Sequence, residues 1–142
     1  AAMDRTLTAV EDAGVSATLW NYTPDNTHAR GDGWNGEDLS IFSLDAPGGG
    51  GRALEAVVRP RPLALAGTPT RFHFDLRTRR FELELELDPK VQAPSELFVP
   101  ALHYPQGARV VVSAGRVEFD RQRQRLTWHH AASSRHHLSL TP

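Results

Sequence analysis

The segment at residues 80–88, RFELELELD, restricts the fold more than any other part of the chain. Apolar side chains at positions 81, 83, 85 and 87 alternate with glutamates at positions 82, 84 and 86. Successive side chains of a strand point to opposite faces of a sheet, so this pattern predicts a strand with one buried and one wet face. Such a strand needs neighbouring strands and a second layer over its apolar face.

The chain from residue 63 onward has the same short-strand texture. We predict further strands near residues 72–76, 96–100, 109–113, 116–120, 125–129 and 137–140, with turns at 76–81, 104–107, 114–115 and 120–124. Short strands at regular spacing, separated by turn signals, are typical of an antiparallel β-sandwich. The predicted fold class is therefore mainly β, with this sandwich at residues 63–142.

Residues 1–62 have a different pattern. Residues 1–12 predict an amphipathic helix that Gly14 ends, residues 15–20 predict a buried strand, and residues 52–59 predict a short helix that ends before Pro60. A helix, a turn and a buried strand form the unit of an α/β barrel or a doubly wound sheet. Because the helical pattern begins at Ala1 without a lead-in, we expect the chain to be the C-terminal piece of a longer one.

Charge is distributed unevenly over the 142 residues. Residues 1–45 hold eight acidic and two basic side chains, a net charge of −6, whereas residues 46–142 hold nine acidic and fourteen basic ones, a net charge of +5. The basic residues are spread over several strands, which disfavours nucleic acid as a partner. The excess does predict that the sandwich docks at an anionic membrane. The absence of cysteine excludes disulfides, thiolate metal sites and cysteine catalysis.

Residues 19–43, LWNYTPDNTHARGDGWNGEDLSIFS, predict a long functional loop after the strand. Glycine and proline interrupt it too often for a helix or a strand, and it is too rich in aromatic and carboxylate side chains for a simple connection. In an α/β barrel, binding and catalytic groups lie on the loops that follow the strands.

Four motifs, NYTPDN, GDGWNGEDLSIFS, GGRALEAVVRP and VPALHYPQG, resemble the end of glycoside hydrolase family five enzymes of the endoglycoceramidase and steryl-glucosidase type. The resemblance covers almost the whole chain and is most specific over residues 21–43. It implies that residues 1–62 are the last part of a (β/α)8 barrel, with helix 7, strand 8, a substrate loop and helix 8. It also implies a retaining β-glycosidase that acts on glycolipids such as glucosylceramide, an oligosaccharylceramide or a steryl glucoside.

The resemblance also implies that both catalytic glutamates precede Ala1, at the ends of strands four and seven. Retaining hydrolysis requires two carboxyl groups roughly 5 Å apart. Glu37 and Asp38 are adjacent on a loop and do not suit that role. We therefore assign no catalytic residue and expect this chain by itself to be inactive. Its partners would be a glycolipid or β-glucoside and the rest of the barrel.

The candidate substrate-binding residues all lie in the loop: Trp20, Asn21, Tyr22, Asp25, Asn26, Trp34, Asn35, Glu37 and Asp38. Trp20 is either a platform for a sugar ring or a core residue at a strand end. Asn21, Tyr22, Asp25 and Asn26 bind sugar hydroxyls or the parent's carboxylates, although Asp25 and Asn26 equally suit a turn. Trp34, Asn35, Glu37 and Asp38 either line the same cleft or only fold the loop, and the residue pattern slightly favours the folding role.

No cofactor or metal is expected. The adjacent histidines at 129–130 and 136–137 face opposite sides of a strand, the loop lacks the acid spacing of a calcium site, and no phosphate loop or nucleophile elbow is present. Two non-catalytic alternatives remain: a carbohydrate- or lipid-binding sandwich, with Tyr104 and Trp128 as its only aromatic candidates, or a structural appendage.

Overall fold

The computed structural model describes residues 2–131 and 134–142. Ten elements follow one another: α1 (Ala2–Asp12), α2 (Leu54–Val57), β1 (Arg61–Ala64), β2 (Gly67–Asp75), β3 (Arg80–Leu87), β4 (Ser95–Phe98), β5 (Arg109–Val112), β6 (Arg116–Asp120), β7 (Arg125–His129) and β8 (Arg135–Thr141). The mainly β prediction is confirmed. The helix prediction is confirmed over α1, and its first residue, Ala1, lies outside the described residues.

Two four-stranded antiparallel sheets pack face to face, with strand orders β1-β4-β7-β6 and β2-β3-β8-β5. The alternation in β3 places its apolar residues inward, where Phe81 lies opposite Leu140 and Leu83 opposite Leu138. Trp128 is fully buried, and its indole nitrogen donates to the carbonyl of Ala114 at 3.0 Å. Sequence periodicity therefore identified the buried face correctly, because one face of each strand meets the other sheet.

β1 is the strand that the sequence did not predict. It has four residues and contains Pro62, which disfavours a strand except at a sheet edge. β1 is an edge strand of its sheet and pairs with β4, Arg61 lying opposite Phe98. The proline is tolerated there because an edge strand needs hydrogen bonds on one side only.

The strand predicted at residues 15–20 is absent, and this prediction was wrong for the isolated chain. Residues 15–20 form neither a helix nor a paired strand, and Val15 and Trp20 are 57% and 69% exposed. A parallel strand is stable only beside other strands, and none of the described strands lies next to it. The helix predicted at residues 52–59 is also shorter, because Ala53 adopts a left-handed conformation and the turn ends at Val58.

A buried arginine joins the first part of the chain to the sandwich. Arg59, 4% exposed, donates from Nε to Glu11 Oε1 of α1 at 2.6 Å and from Nη2 to the carbonyl of Phe74 in β2 at 2.8 Å. It also binds Asp4 and lies over the Phe74 ring, 5.0 Å from its centroid. Burial alone would lower the pKa of Arg59, but its bonds to Glu11 and Asp4 raise it above the ordinary value.

The loop at residues 99–108 connects the two sheets and also touches α2. Tyr104 is buried, which raises the pKa of its phenol, and its hydroxyl donates to the carbonyl of Arg79 at 2.8 Å. The buried His103 ring packs on Phe74, with centroids 4.8 Å apart, and lies against backbone groups of Glu55 and Val58. Residues 54–62 are therefore fixed against one end of the sandwich.

Candidate functional site

The loop at residues 20–52 is folded by polar contacts around the buried carboxylate of Asp32. Asp32 Oδ1 accepts from the backbone nitrogen of Trp34 at 2.9 Å, and Oδ2 accepts from the backbone of Leu39 at 3.1 Å and from Asn21 Nδ2 at 3.4 Å. The segments that carry Trp20 and Trp34 therefore meet at one carboxylate. Sequence reasoning missed Asp32, although an aspartate between two glycines is a signal for side-chain-to-backbone bonding in a turn.

A second group of contacts joins the middle of the loop to its end. Asn26 is fully buried and donates from Nδ2 to Asp38 Oδ1 at 2.9 Å and to the carbonyl of Phe42 at 2.8 Å. Arg52 binds both oxygens of Asp38, Nη1 to Oδ1 at 2.7 Å and Nη2 to Oδ2 at 2.8 Å. These bonds, first from Arg52 and then from Asn26, lower the pKa of Asp38 to about 2.

Asn26 and Asp38 were both predicted to bind substrate, and the structure gives each of them a hydrogen-bond partner within the loop. A bidentate guanidinium holds Asp38 as an anion near neutral pH, and Asn26 is buried. The arrangement stabilises the loop and leaves neither group free to act as an acid, a base or a nucleophile. Asp25, on the surface, likewise forms an ion pair with Arg30.

Three aromatic side chains of the loop are exposed. Trp20 is 69%, Tyr22 63% and Trp34 58% exposed, and Tyr22 packs on one side against Phe42, with ring centroids 5.7 Å apart. The peptide bond between Trp20 and Asn21 is cis. Exposed aromatics on a hydrogen-bonded scaffold are typical of a binding surface. Indole and phenol rings of this kind stack on sugar faces and on apolar rings alike.

The remaining candidates lie at the turn beside Trp34. Asn35 has a left-handed backbone and Glu37 is exposed; the Glu37 carbonyl accepts from the Asp32 nitrogen at 2.9 Å. At the other end of the group, Asn21 Oδ1 is buried and accepts no hydrogen bond from the described part of the chain. This buried acceptor marks a position where a donor from another segment or from a ligand would be stabilised.

The sandwich histidines His103, His130 and His136 pack against aromatic rings. His130 forms a hydrogen bond with Ser95 Oγ at 2.7 Å, and its ring lies on Trp128, with centroids 4.3 Å apart. Burial, together with His136 and His129, lowers the pKa of His130 to about 4, so its imidazole is neutral near neutral pH. Residues 2–131 and 134–142 contain no group of three or more His, Cys, Asp or Glu side chains placed to hold a metal ion.

A family model described as the glycoside hydrolase family 5 C-terminal domain matches residues 59–141. The chain belongs to this family. The match spans β1 to β8, and Arg59, which joins the sandwich to α1, is its first residue.

The similarity to known proteins extends beyond the sandwich. A Rhizopus delemar protein named glucosylceramidase is 35% identical over 144 aligned residues, which cover 87% of this chain and 21% of that protein. The crystal structure of Cryptococcus neoformans sterylglucosidase 1 covers 99% of this chain with a TM-score of 0.88 and 29% identity. Endo-glycoceramidase II from Rhodococcus sp. shares the fold, with a TM-score of 0.70.

These proteins confirm the resemblance that the motifs indicated. The chain spans only about a quarter of the length of the relatives it matches, 21% of the Rhizopus protein and 24% of the Cryptococcus one. In the part of the chain that the structure describes, no helix is both long and apolar enough to cross a membrane.

Proposed function

We propose that the chain is the C-terminal part of a retaining β-glycosidase that hydrolyses a glycolipid, either a glucosylceramide, an oligosaccharylceramide or a steryl glucoside. The observation that carries the proposal is the similarity over almost the whole chain, loop included, to proteins named glucosylceramidase and sterylglucosidase. Residues 1–62 then supply the last barrel unit and its substrate loop, and the sandwich packs beside it through Arg59.

The surface of the first segment supports this arrangement. Val15, Leu39 and Leu44 are each more than half exposed, and none of the described strands pairs with residues 15–20. Exposed apolar side chains of this kind are expected where further strands and helices cover them. The rest of the barrel is therefore the proposed partner of this surface, and residues 15–20 become its eighth strand when the neighbouring strand is present.

Within the loop we propose that Trp20, Tyr22 and Trp34 contact substrate directly, through the glucose ring and the apolar aglycone. Asn21, Asn35 and Glu37 lie beside them and provide hydrogen bonds to hydroxyl groups. Asn26 and Asp38 act indirectly, because Arg52 binds both carboxylate oxygens of Asp38, and Asn26 Nδ2 already donates to Asp38 and to the Phe42 carbonyl.

Catalysis in this proposal depends on carboxylates outside residues 1–142. Asp38 forms a bidentate ion pair with Arg52 and has a pKa of about 2, so near neutral pH it has no proton to donate as a general acid, and Arg52 occupies the oxygens that a nucleophile would use. Glu37 alone does not provide the pair of carboxyl groups that retaining hydrolysis requires.

The test uses the protein expressed from its complete reading frame, with detergent-solubilised glucosylceramide and a steryl glucoside as substrates. We expect Trp20→Ala to lower kcat/KM roughly tenfold or more, about 1.4 kcal/mol of lost transition-state binding. Val91→Ala, an exposed apolar residue of the sandwich, is the matched control and should leave kcat/KM unchanged. Glu37→Gln should retain most activity. The proposal would be rejected if the protein hydrolysed neither substrate, or if Glu37→Gln alone abolished hydrolysis.

A further inference from the structure

The positive charge of the sandwich is concentrated at one end. This arginine end consists of residue 61 and the segments 75–82, 96–109 and 119–125, which hold eight arginines and four carboxylates, a net charge of +4. The remaining part of the sandwich balances four basic side chains with four acidic ones. Along the sequence these arginines are spread over several strands, and the pairing of the strands in the two sheets brings them to the same end.

Strand pairing places these segments side by side. In one sheet the turn before Arg80 lies beside the end of β8, where Thr141 pairs with Arg109. In the other sheet the end of β4 pairs with the start of β7, next to the turn at 121–124. The loop at 99–108 spans both, because Tyr104 binds the carbonyl of Arg79 and Arg121 Nη2 reaches the carbonyl of Pro105 at 3.5 Å.

Three exposed arginines surround this loop without a carboxylate within 4 Å among the described residues: Arg79, Arg109 and Arg121. Elsewhere on the sandwich, exposed arginines have such partners, for example Arg116 with Glu118 and Arg135 with Glu86. Leu102, 45% exposed, lies in the middle of the loop. The arginine end thus combines an apolar side chain with unneutralised cations.

We propose that the arginine end docks the protein on a membrane surface that contains anionic phospholipids. Each basic residue close to such a surface is attracted by its negative potential, and an aliphatic side chain among them gains by entering the interfacial region. A single-stranded nucleic acid would gain most from exposed aromatic rings. Here the aromatic side chains are withheld from solvent: Phe81 and Tyr104 are buried, and Phe98 is half-buried beside Arg61.

Docking at this end would give the proposed hydrolysis of a glycolipid a defined geometry at the membrane. Because His103 of the same loop lies against the backbone of α2, the docked end contacts the segment that directly follows the substrate loop. The inference rests on the proposed function in one respect only, namely that docking would bring a lipid-embedded substrate to the loop. The charge distribution at the arginine end does not depend on that function.

The test measures partitioning of the purified protein onto vesicles of phosphatidylcholine and phosphatidylserine, mixed about three to one. We expect the triple variant Arg79→Gln, Arg109→Gln, Arg121→Gln to bind on the order of 100-fold more weakly, about fivefold per arginine. A matched triple variant, Arg71→Gln, Arg116→Gln, Arg135→Gln, removes the same charge elsewhere and should lose less than about tenfold. Leu102→Ser should weaken binding a few-fold, and raising the salt concentration should weaken it further.

Equal losses in the two triple variants would overturn the proposal, as would binding that is indifferent to salt or to phosphatidylserine. A single-stranded oligonucleotide that binds through the three arginines, in the absence of vesicle binding, would overturn it in favour of nucleic acid. Hydrolysis of detergent-solubilised glucosylceramide is measured in parallel. Because that assay needs no membrane, an unaltered protein that hydrolyses the substrate but does not bind vesicles rejects docking alone. An unaltered protein that binds vesicles but does not hydrolyse the substrate rejects the glycosidase alone.

Discussion

Replacing Arg59 by methionine should unfold the contact between α1 and the sandwich at a large cost in free energy. Methionine retains much of the side-chain volume over Phe74 but removes every donor. Glu11, 8% exposed, then loses its bonds of 2.6 and 2.8 Å to Arg59. Among the described residues it keeps one donor, the Phe74 backbone nitrogen at 3.2 Å. Removing one partner of a buried ion pair costs about 3–5 kcal/mol, because the other charge stays buried without compensation.

The assay is denaturation of the unaltered protein and of the Arg59→Met variant with urea, monitored by far-ultraviolet circular dichroism and tryptophan fluorescence. A loss of about 3–5 kcal/mol corresponds to a decrease in melting temperature of roughly 10–15 °C for a chain of this size. The matched control is Arg80→Met, whose partner Glu82 is also bound at 2.7 Å but whose own side chain is 54% exposed. An exposed pair contributes less than about 1 kcal/mol.

A double variant separates the ion pair from the general loss of packing. If the cost of Arg59→Met arises from the unpaired Glu11 carboxylate, then Glu11→Gln in the same chain should restore part of it, because glutamine is neutral and can still accept from Phe74. The reasoning is refuted if Arg59→Met is as mild as Arg80→Met, or if the second substitution makes the loss larger.

Three further predictions concern burial, pH and backbone space. Trp128→Ala should cost about 3–5 kcal/mol of unfolding free energy, since the indole is fully buried; an unchanged melting temperature would reject its core role. In the folded protein the pKa of His130 is about 4, below the ordinary value of 6.5, so on acidification the unfolded chain takes up the proton first. The free energy of unfolding should therefore fall by up to about 1.4 kcal/mol per pH unit as the pH is lowered from 6.5 to 4. His130→Gln should flatten that slope in pH-dependent melts, whereas the exposed His28→Gln should not. Gly31→Ala should destabilise the loop by about 1–3 kcal/mol more than Gly33→Ala, which faster proteolysis of the loop would measure. Of these two glycines, only Gly31 would bring the new methyl group against a backbone oxygen, Glu37 O at 2.4 Å.

The strands were predictable wherever one face of the chain is apolar and the other wet. β3 alternates strictly, so its boundaries and its buried face followed from the sequence, and β8 was found from a shorter stretch of the same kind. The segment at 15–20 has the composition of a buried strand but lacks neighbours among the described strands. Composition reports a preference for burial, whereas a strand also requires a partner for its hydrogen bonds.

The candidate site was predictable as a segment but not as a set of roles. The exposed aromatics Trp20, Tyr22 and Trp34 are recognisable from the sequence as surface candidates. The internal roles of Asp38 and Asn26 depend on contacts with Arg52 and Phe42, ten or more residues away, and no local pattern indicates them. The same is true of Arg59, which binds Glu11 from 48 residues further along the chain.

The position of Arg59 limits how the two parts of this chain can be exchanged in evolution or in the laboratory. Its guanidinium bonds to a helix that precedes the sandwich and to a strand within it, so a cut at residue 60 or 62 separates the sandwich from a buried side chain that bonds to both. A sandwich transferred to a different barrel would carry a bare Phe74 carbonyl and an uncovered Phe74 ring into its new interface. The recipient would need a cation at the same place, so the sandwich and its last barrel unit are expected to be inherited together.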